Sequence, residues 1–140
     1  MRNEYIFVYG TLRRETGHLM YHILARYADF IGDGYVHGKL YEVGGYPGMK
    51  LSENPVEKVY GEVYRLRDPD YVLKVLDEYE ECNENYPEPH EYTRIQVTVH
   101  LTDGRVLQAW AYEYNYPTDT LELIPSGNYI EYIANKSNSL

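Results

Sequence analysis

Between Ile95 and Tyr114 the chain alternates apolar and polar residues around a two-residue turn signal, and this hairpin constrains the architecture more than any other stretch. Ile95, Val97, Val99 and Leu101 alternate with Gln96, Thr98 and His100. Asp103-Gly104 supplies the turn, and Val106 to Tyr114 returns with Trp110, Tyr112 and Tyr114 on one face. A hairpin with an apolar face must cover it with more sheet or with helices. Further strands are available in Tyr5-Ile6-Phe7-Val8, Lys39 to Val43, Met49 to Leu51 and Val59 to Leu66. The last has apolar side chains on both faces, as a barrel or a covered sheet requires. Leu19, Met20, Ile23, Leu24 and Tyr27 recur at helical spacing and predict a first helix from about His18 to Tyr27, with Thr16 or Gly17 to start it. Gly32, Gly34 and Gly38 punctuate the next stretch, and Gly44 to Gly48 is a loop by composition. Asp68-Pro69 opens a second helix, aspartate as N-cap and proline at the first helical position, running to about Glu81. The expected fold is therefore α+β, a small mixed β-barrel with flanking helices. Residues 1–134 form one domain, and the polar stretch 135–140 is a tail that frays.

Composition narrows the partners. Of the 140 residues, 18 are tyrosine against two phenylalanines and one tryptophan, and an apolar ring with a polar tip suits a strand-rich fold with a partly wet cleft. A net charge of −9 with no Lys/Arg cluster opposes nucleic acid and anionic membrane as partners. A lone Cys82 excludes an internal disulfide and fits a reducing compartment. No apolar run reaches transmembrane length and the N-terminus lacks a signal-peptide pattern, so a cytoplasmic protein is expected, as a monomer or weak homodimer. Gly32-Asp33-Gly34 lacks the third glycine of a dinucleotide site. His18 and His22 lie one helical turn apart without a carboxylate partner pattern, and Asn135-Lys136-Ser137 is a chance sequon. No cofactor and no metal are expected.

Two places carry candidate chemistry. Tyr9-Gly10-Thr11-Leu12 comes directly after the first strand, and a glycine there lets the chain turn sharply with its N–H groups exposed, either as an anion cradle or as an ordinary turn. On a helical wheel of the second helix, Val72, Leu73, Val75, Leu76 and Tyr79 share one arc, and Glu80 projects from that same arc between Leu73 and Leu76. A carboxylate there meets partial desolvation, the negative helix end and neighbouring acids, all of which favour its protonated form. Its pKa should rise toward neutrality, where a general acid/base works best. The alternative is that the helix has ended and Glu80 points to water or pairs with Arg94.

A strand ending in Tyr9-Gly10-Thr11-Leu12, the Leu76-Asp77-x-x-Glu80 helix end, and Tyr92-x-Arg94 opening an alternating strand together resemble the gamma-glutamylcyclotransferase-like family, including its gamma-glutamylamine cyclotransferase and AIG2-like branch. The likeness continues through Gly38-Lys39-Leu40-Tyr41, Tyr46-Pro47 and Val59-Tyr60-Gly61-Glu62-Val63-Tyr64, and ends at Gly127-Asn128-Tyr129, an altered form of the family's Gly-Asp-Trp. The resemblance implies a small mixed β-barrel, substrate binding by Tyr9, Gly10, Thr11 and Leu12, and catalysis by Glu80, with a tyrosine-lined cleft for which Tyr114 is the weaker candidate. It implies a small-molecule γ-glutamyl substrate cyclised to 5-oxoproline with release of an amine. Two departures stand out: Glu81 where relatives carry glycine or a small residue, and a long acidic spacer from Cys82 to Glu91 that looks like an insertion shaping specificity. The rival reading is a non-catalytic binder of γ-glutamyl or amino-acid metabolites.

Overall fold

The computed structural model describes residues 3–10 and 19–138. Seven strands and three helices succeed one another as β1 (Tyr5–Val8), α1 (Leu19–Tyr27), β2 (Ala28–Glu42), β3 (Pro47–Leu51), β4 (Lys58–Leu66), α2 (Pro69–Tyr79), β5 (Tyr92–Leu101), β6 (Val106–Tyr114), β7 (Glu122–Leu123) and α3 (Tyr129–Asn138). The order β2-β4-β1-β6-β5 closes because β5 pairs back onto β2 through Gly34↔Leu101 and Tyr35↔His100. The result is a five-stranded barrel with β3 and β7 added beside β2. It is mixed: β1 lies antiparallel to β4 and parallel to β6.

Strand alternation sorts the core into two layers. Phe7, Val63, Val97, Val99, Ala109 and Ala111 gather in one cluster that fills the barrel. Their sequence neighbours face outward, where Ile6, Val8, Tyr64 and Tyr112 meet Leu24 of α1 and Val72, Leu73 and Leu76 of α2. The helices thus cover the outer side of β1 and β6.

Four elements depart from the sequence expectation. The glycines at 32, 34 and 38 do not break the chain but lie inside β2, a single strand of 15 residues with one irregularity between Phe30 and Gly32. A Cβ at Gly34 would stand 2.7 Å from the His100 carbonyl oxygen, and one at Gly38 would stand 2.6 Å from that of Lys50, so these glycines allow close strand crossing. A third helix and the short β7 complete the fold, and α3 carries helix past Asn135 to Asn138, with Lys136 set 5.0 Å over the Tyr132 ring. The second helix stops at Tyr79, before the expected end. Thr16, Gly17 and His18, the expected start of α1, lie outside the described residues. No helix among the described residues is long and apolar enough to cross a membrane.

Candidate active site

The site begins with how α2 ends. Its start agrees with the sequence: Pro69 sits in the first turn and the Asp68 side chain accepts the Tyr71 N–H at 3.4 Å. At the other end Glu80 is the C-cap, its N–H donating to the Leu76 carbonyl at 2.8 Å. The Glu81 N–H then reaches Glu78 O at 3.1 Å and the Cys82 N–H reaches Asp77 O at 3.0 Å, the paired bonds of a Schellman turn. That turn requires a left-handed residue after the cap, and Glu81 supplies it at φ 56°, where glycine is ordinarily used. Although helix ends before it, Glu80 stays on the inward side and half-buried.

Glu80 lines a cavity of about 440 Å³ beside the end of β1. Val8, Tyr9 and Gly10 form one wall, and Tyr46 from the β2–β3 connection and Pro47 at the start of β3 reach in. Tyr92 and Tyr112 come from the adjoining strands β5 and β6, and Glu81 and Glu91 join Glu80 as carboxylates. No lysine or arginine among the described residues lines it. Tyr9, Gly10 and Glu80, the separated sequence candidates, therefore meet across one cleft, whereas Thr11 and Leu12 lie outside the described residues. Gly10 is packed so closely on Pro47 that an added Cβ would stand 2.2 Å from the proline Cγ.

Burial pushes the Glu80 carboxyl up to about 7, with repulsion from Glu91 and then Glu81 adding to it. Arg94 does not neutralise it. The guanidinium donates to Asp77 instead, Nε to Oδ1 at 2.8 Å and Nη2 to Oδ2 at 3.2 Å. Glu80 thus keeps a carboxyl that titrates near neutrality inside a pocket lined by five tyrosines.

The tyrosines divide their work. The Tyr9 hydroxyl donates to the Tyr112 carbonyl at 2.6 Å and accepts the Met49 N–H at 3.2 Å, so its polar tip ties β6 to β3. Burial holds it protonated well above the ordinary tyrosine range. The Tyr92 hydroxyl donates to Pro47 O at 2.6 Å, and Tyr46 donates to the Glu91 carboxylate. Tyr114 does not line the cavity as expected. It stands behind Tyr92, ring centroids 5.6 Å apart, and its ring packs on Gly48. The wall residues that sequence reasoning did not single out are Tyr46, Pro47, Glu91, Tyr92 and Tyr112, although Tyr46-Pro47 and Tyr92-x-Arg94 were visible as motif pieces.

Residues 82–91 wrap the site's rim. Asn83 and Tyr86 both donate to the Glu78 carboxylate at 2.7 Å, which holds that carboxyl below the ordinary range. At the far end Tyr116 donates to Pro89 O and Asn115 to His90 O, each at 3.0 Å. The loop is pinned at both ends and delivers Glu91 to the cavity.

A barrel of this topology with these motifs is found in known proteins. Residues 6–131 match the family model described as gamma-glutamyl cyclotransferase, AIG2-like. The chain belongs to that family. The Escherichia coli gamma-glutamylcyclotransferase family protein YtfP is 34% identical over 127 residues, 90% of this chain and 96% of its own. A Methanocaldococcus jannaschii relative is 30% identical over 129 residues, 92% of this chain and 98% of its own. Among solved structures, YkqA of Bacillus subtilis superposes with a TM-score of 0.72 at 27% identity over 97% of this chain, which spans 43% of YkqA's length. The solution structure of E. coli YtfP gives 0.62 at 30% identity over 92% of this chain and 98% of that protein. Membership accounts for the order of motifs along the chain.

Proposed function

We propose that this member of the family is a γ-glutamyl cyclotransferase that converts a γ-glutamyl amine or dipeptide to 5-oxoproline and releases the attached amine. The observation that carries the reading is the placement of Glu80, raised to about 7 and without a cation partner among the described residues, in the same cavity as Tyr9 and Gly10. The substrate supplies its own nucleophile. Its α-ammonium gives a proton to the Glu80 carboxylate, the freed amine attacks the γ-carbonyl carbon, and the five-membered ring closes. As the bond from that carbon to the leaving nitrogen breaks, Glu80 returns the first proton to that nitrogen; the ring nitrogen gives up its second proton to become the lactam N–H, and that proton leaves with the released amine as its ammonium. Ring closure is intramolecular, so most of the acceleration comes from holding the folded substrate in its near-attack shape. Backbone N–H groups at Tyr9-Gly10-Thr11-Leu12 grip the substrate carboxylate, and the tyrosine walls exclude water.

The test is a panel of γ-glutamyl dipeptides and γ-glutamyl amines assayed for 5-oxoproline with wild type and with Glu80→Gln. Product from wild type and a loss of at least about a thousandfold in the variant supports the reading. Equal rates remove Glu80 as the catalyst, and no product from any substrate leaves a binding protein.

A further inference from the structure

We infer that Asp77 is the positioning residue of this site: it clamps the last turn of α2 to the β5–β6 hairpin and so fixes where Glu80 enters the cavity. The inference rests on the proposed role of Glu80. Asp77 lies three residues before Glu80, on the same side of the helix. Its Oδ1 accepts both Arg94 Nε at 2.8 Å and the Tyr112 hydroxyl at 2.6 Å, and its Oδ2 accepts Arg94 Nη2 at 3.2 Å. Arg94 and Tyr112 face each other in the register of β5 and β6, so one carboxylate grips both strands at one level. The guanidinium is itself fixed, 4.4 Å over the Trp110 ring. Asp77 also holds the chain just past the helix end: its carbonyl accepts the Cys82 N–H, and the Cys82 thiol points at its Oδ1 from 3.8 Å. Glu80 is therefore bracketed by a residue three before it and a residue two after it, joined to each other and to the sheet.

The arrangement is more than a surface ion pair. The Asp77 and Arg94 side chains are only 20% and 25% exposed. Tyr112, which Asp77 orients, is itself a wall of the cavity. A displacement of the catalytic group by about 1 Å costs a reaction of this kind on the order of a hundredfold. The groups that sense Glu80 are Glu81, Cys82 and Tyr79 beside it, Glu91 and Tyr92 from β5 and the loop before it, Tyr46 from the β2–β3 connection and Tyr9 from the end of β1. Removing the Tyr112 hydroxyl alters none of these, so a shift in Glu80's titration in Tyr112→Phe reports its altered placement, whereas changing Asp77 also alters the partner of the Cys82 thiol and releases Arg94.

The experiment tracks Glu80 directly, by 13C NMR of glutamate-labelled protein with Glu80→Gln for assignment, alongside turnover of the γ-glutamyl panel. Tyr112→Phe removes one bond to Asp77 and no charge; Asp77→Asn removes the ion pair. Both should lower the Glu80 midpoint toward the ordinary carboxyl range as water gains access, Asp77→Asn by more. In the same variants kcat should fall about 10- to 100-fold with KM within about threefold. A Tyr112→Phe protein that is folded and keeps both the Glu80 midpoint and kcat overturns the assignment, whether or not Asp77→Asn folds. If wild type turns over none of the panel, the functional reading fails, and the Glu80 midpoint alone decides whether Asp77 positions it.

Discussion

Arg94 pairs with Asp77, through two bonds of 2.8 and 3.2 Å, and not with Glu80 three residues later, which no lysine or arginine among the described residues joins in its cavity. That choice of partner gives the site its chemistry. Arg94 on Glu80 would hold the carboxyl ionised and weakly basic, whereas with Arg94 on Asp77 burial and two neighbouring acids raise it to about 7.

The acid limb of the pH–rate profile is expected near pH 7, because Glu80 must be ionised to accept the substrate's proton. Glu91→Gln removes a negative neighbour and should move that limb to lower pH. Initial rates of 5-oxoproline release from pH 5 to 9 measure it, and a limb that stays in place in the variant contradicts the coupling.

The same group makes stability depend on pH. Its folded value of about 7 lies above the ordinary 4.5, so the folded chain holds a proton that the unfolded chain gives up between those values. The stability this contributes is complete below pH 4.5 and is lost as pH rises through 7, amounting to at most about 3 kcal/mol. Urea denaturation from pH 5 to 8 should show wild type losing stability relative to Glu80→Gln over that window.

Glu81→Gly should stabilise the protein by about 1 kcal/mol, since φ 56° is costly for glutamate and free for glycine in a Schellman turn. Removing the Glu81 charge should also lower the Glu80 midpoint. Thermal melts of the two proteins at pH 6 test the first effect, and a drop in melting temperature contradicts it.

Tyr9→Phe leaves the Tyr112 carbonyl and the Met49 N–H without their buried partner. The expected loss is about 1–3 kcal/mol, read from the urea midpoint. An unchanged midpoint would show that this hydroxyl does not join the two strands.

The fold was legible where local signals agree with tertiary demands. The 95–114 alternation and the Asp103-Gly104 turn appear in the structure as β5 and β6, and Asp68-Pro69 starts α2 as its chemistry dictates. Gly34 and Gly38 misled because glycine as a turn signal and glycine as room for a crossing strand look alike in one dimension, and only the approach of His100 O and Lys50 O separates them. For the site, Glu80 was legible as a carboxylate on an apolar arc. Its freedom from Arg94 was not, because the wheel cannot tell which of Asp77 and Glu80 an arginine 14 or 17 positions away will reach. Glu91 was hidden for a similar reason: in sequence it is one acid of an acidic loop, and only the anchoring of that loop at Glu78 and at Asn115 turns it into the cavity.

The hydrogen bond from Tyr9 to the Tyr112 carbonyl spans 103 positions of sequence. During synthesis β1 emerges first and can pair with β4 once that strand appears, yet its second neighbour, β6, is among the last strands to be made. The cavity wall therefore cannot close until β6 has been made, and until then the outward-facing Ile6 and Val8 await their final cover. A chain that ends before Val106 would hold β1 with Ile6 and Val8 still uncovered by Tyr112 and with no β6 carbonyl for the Tyr9 hydroxyl to meet.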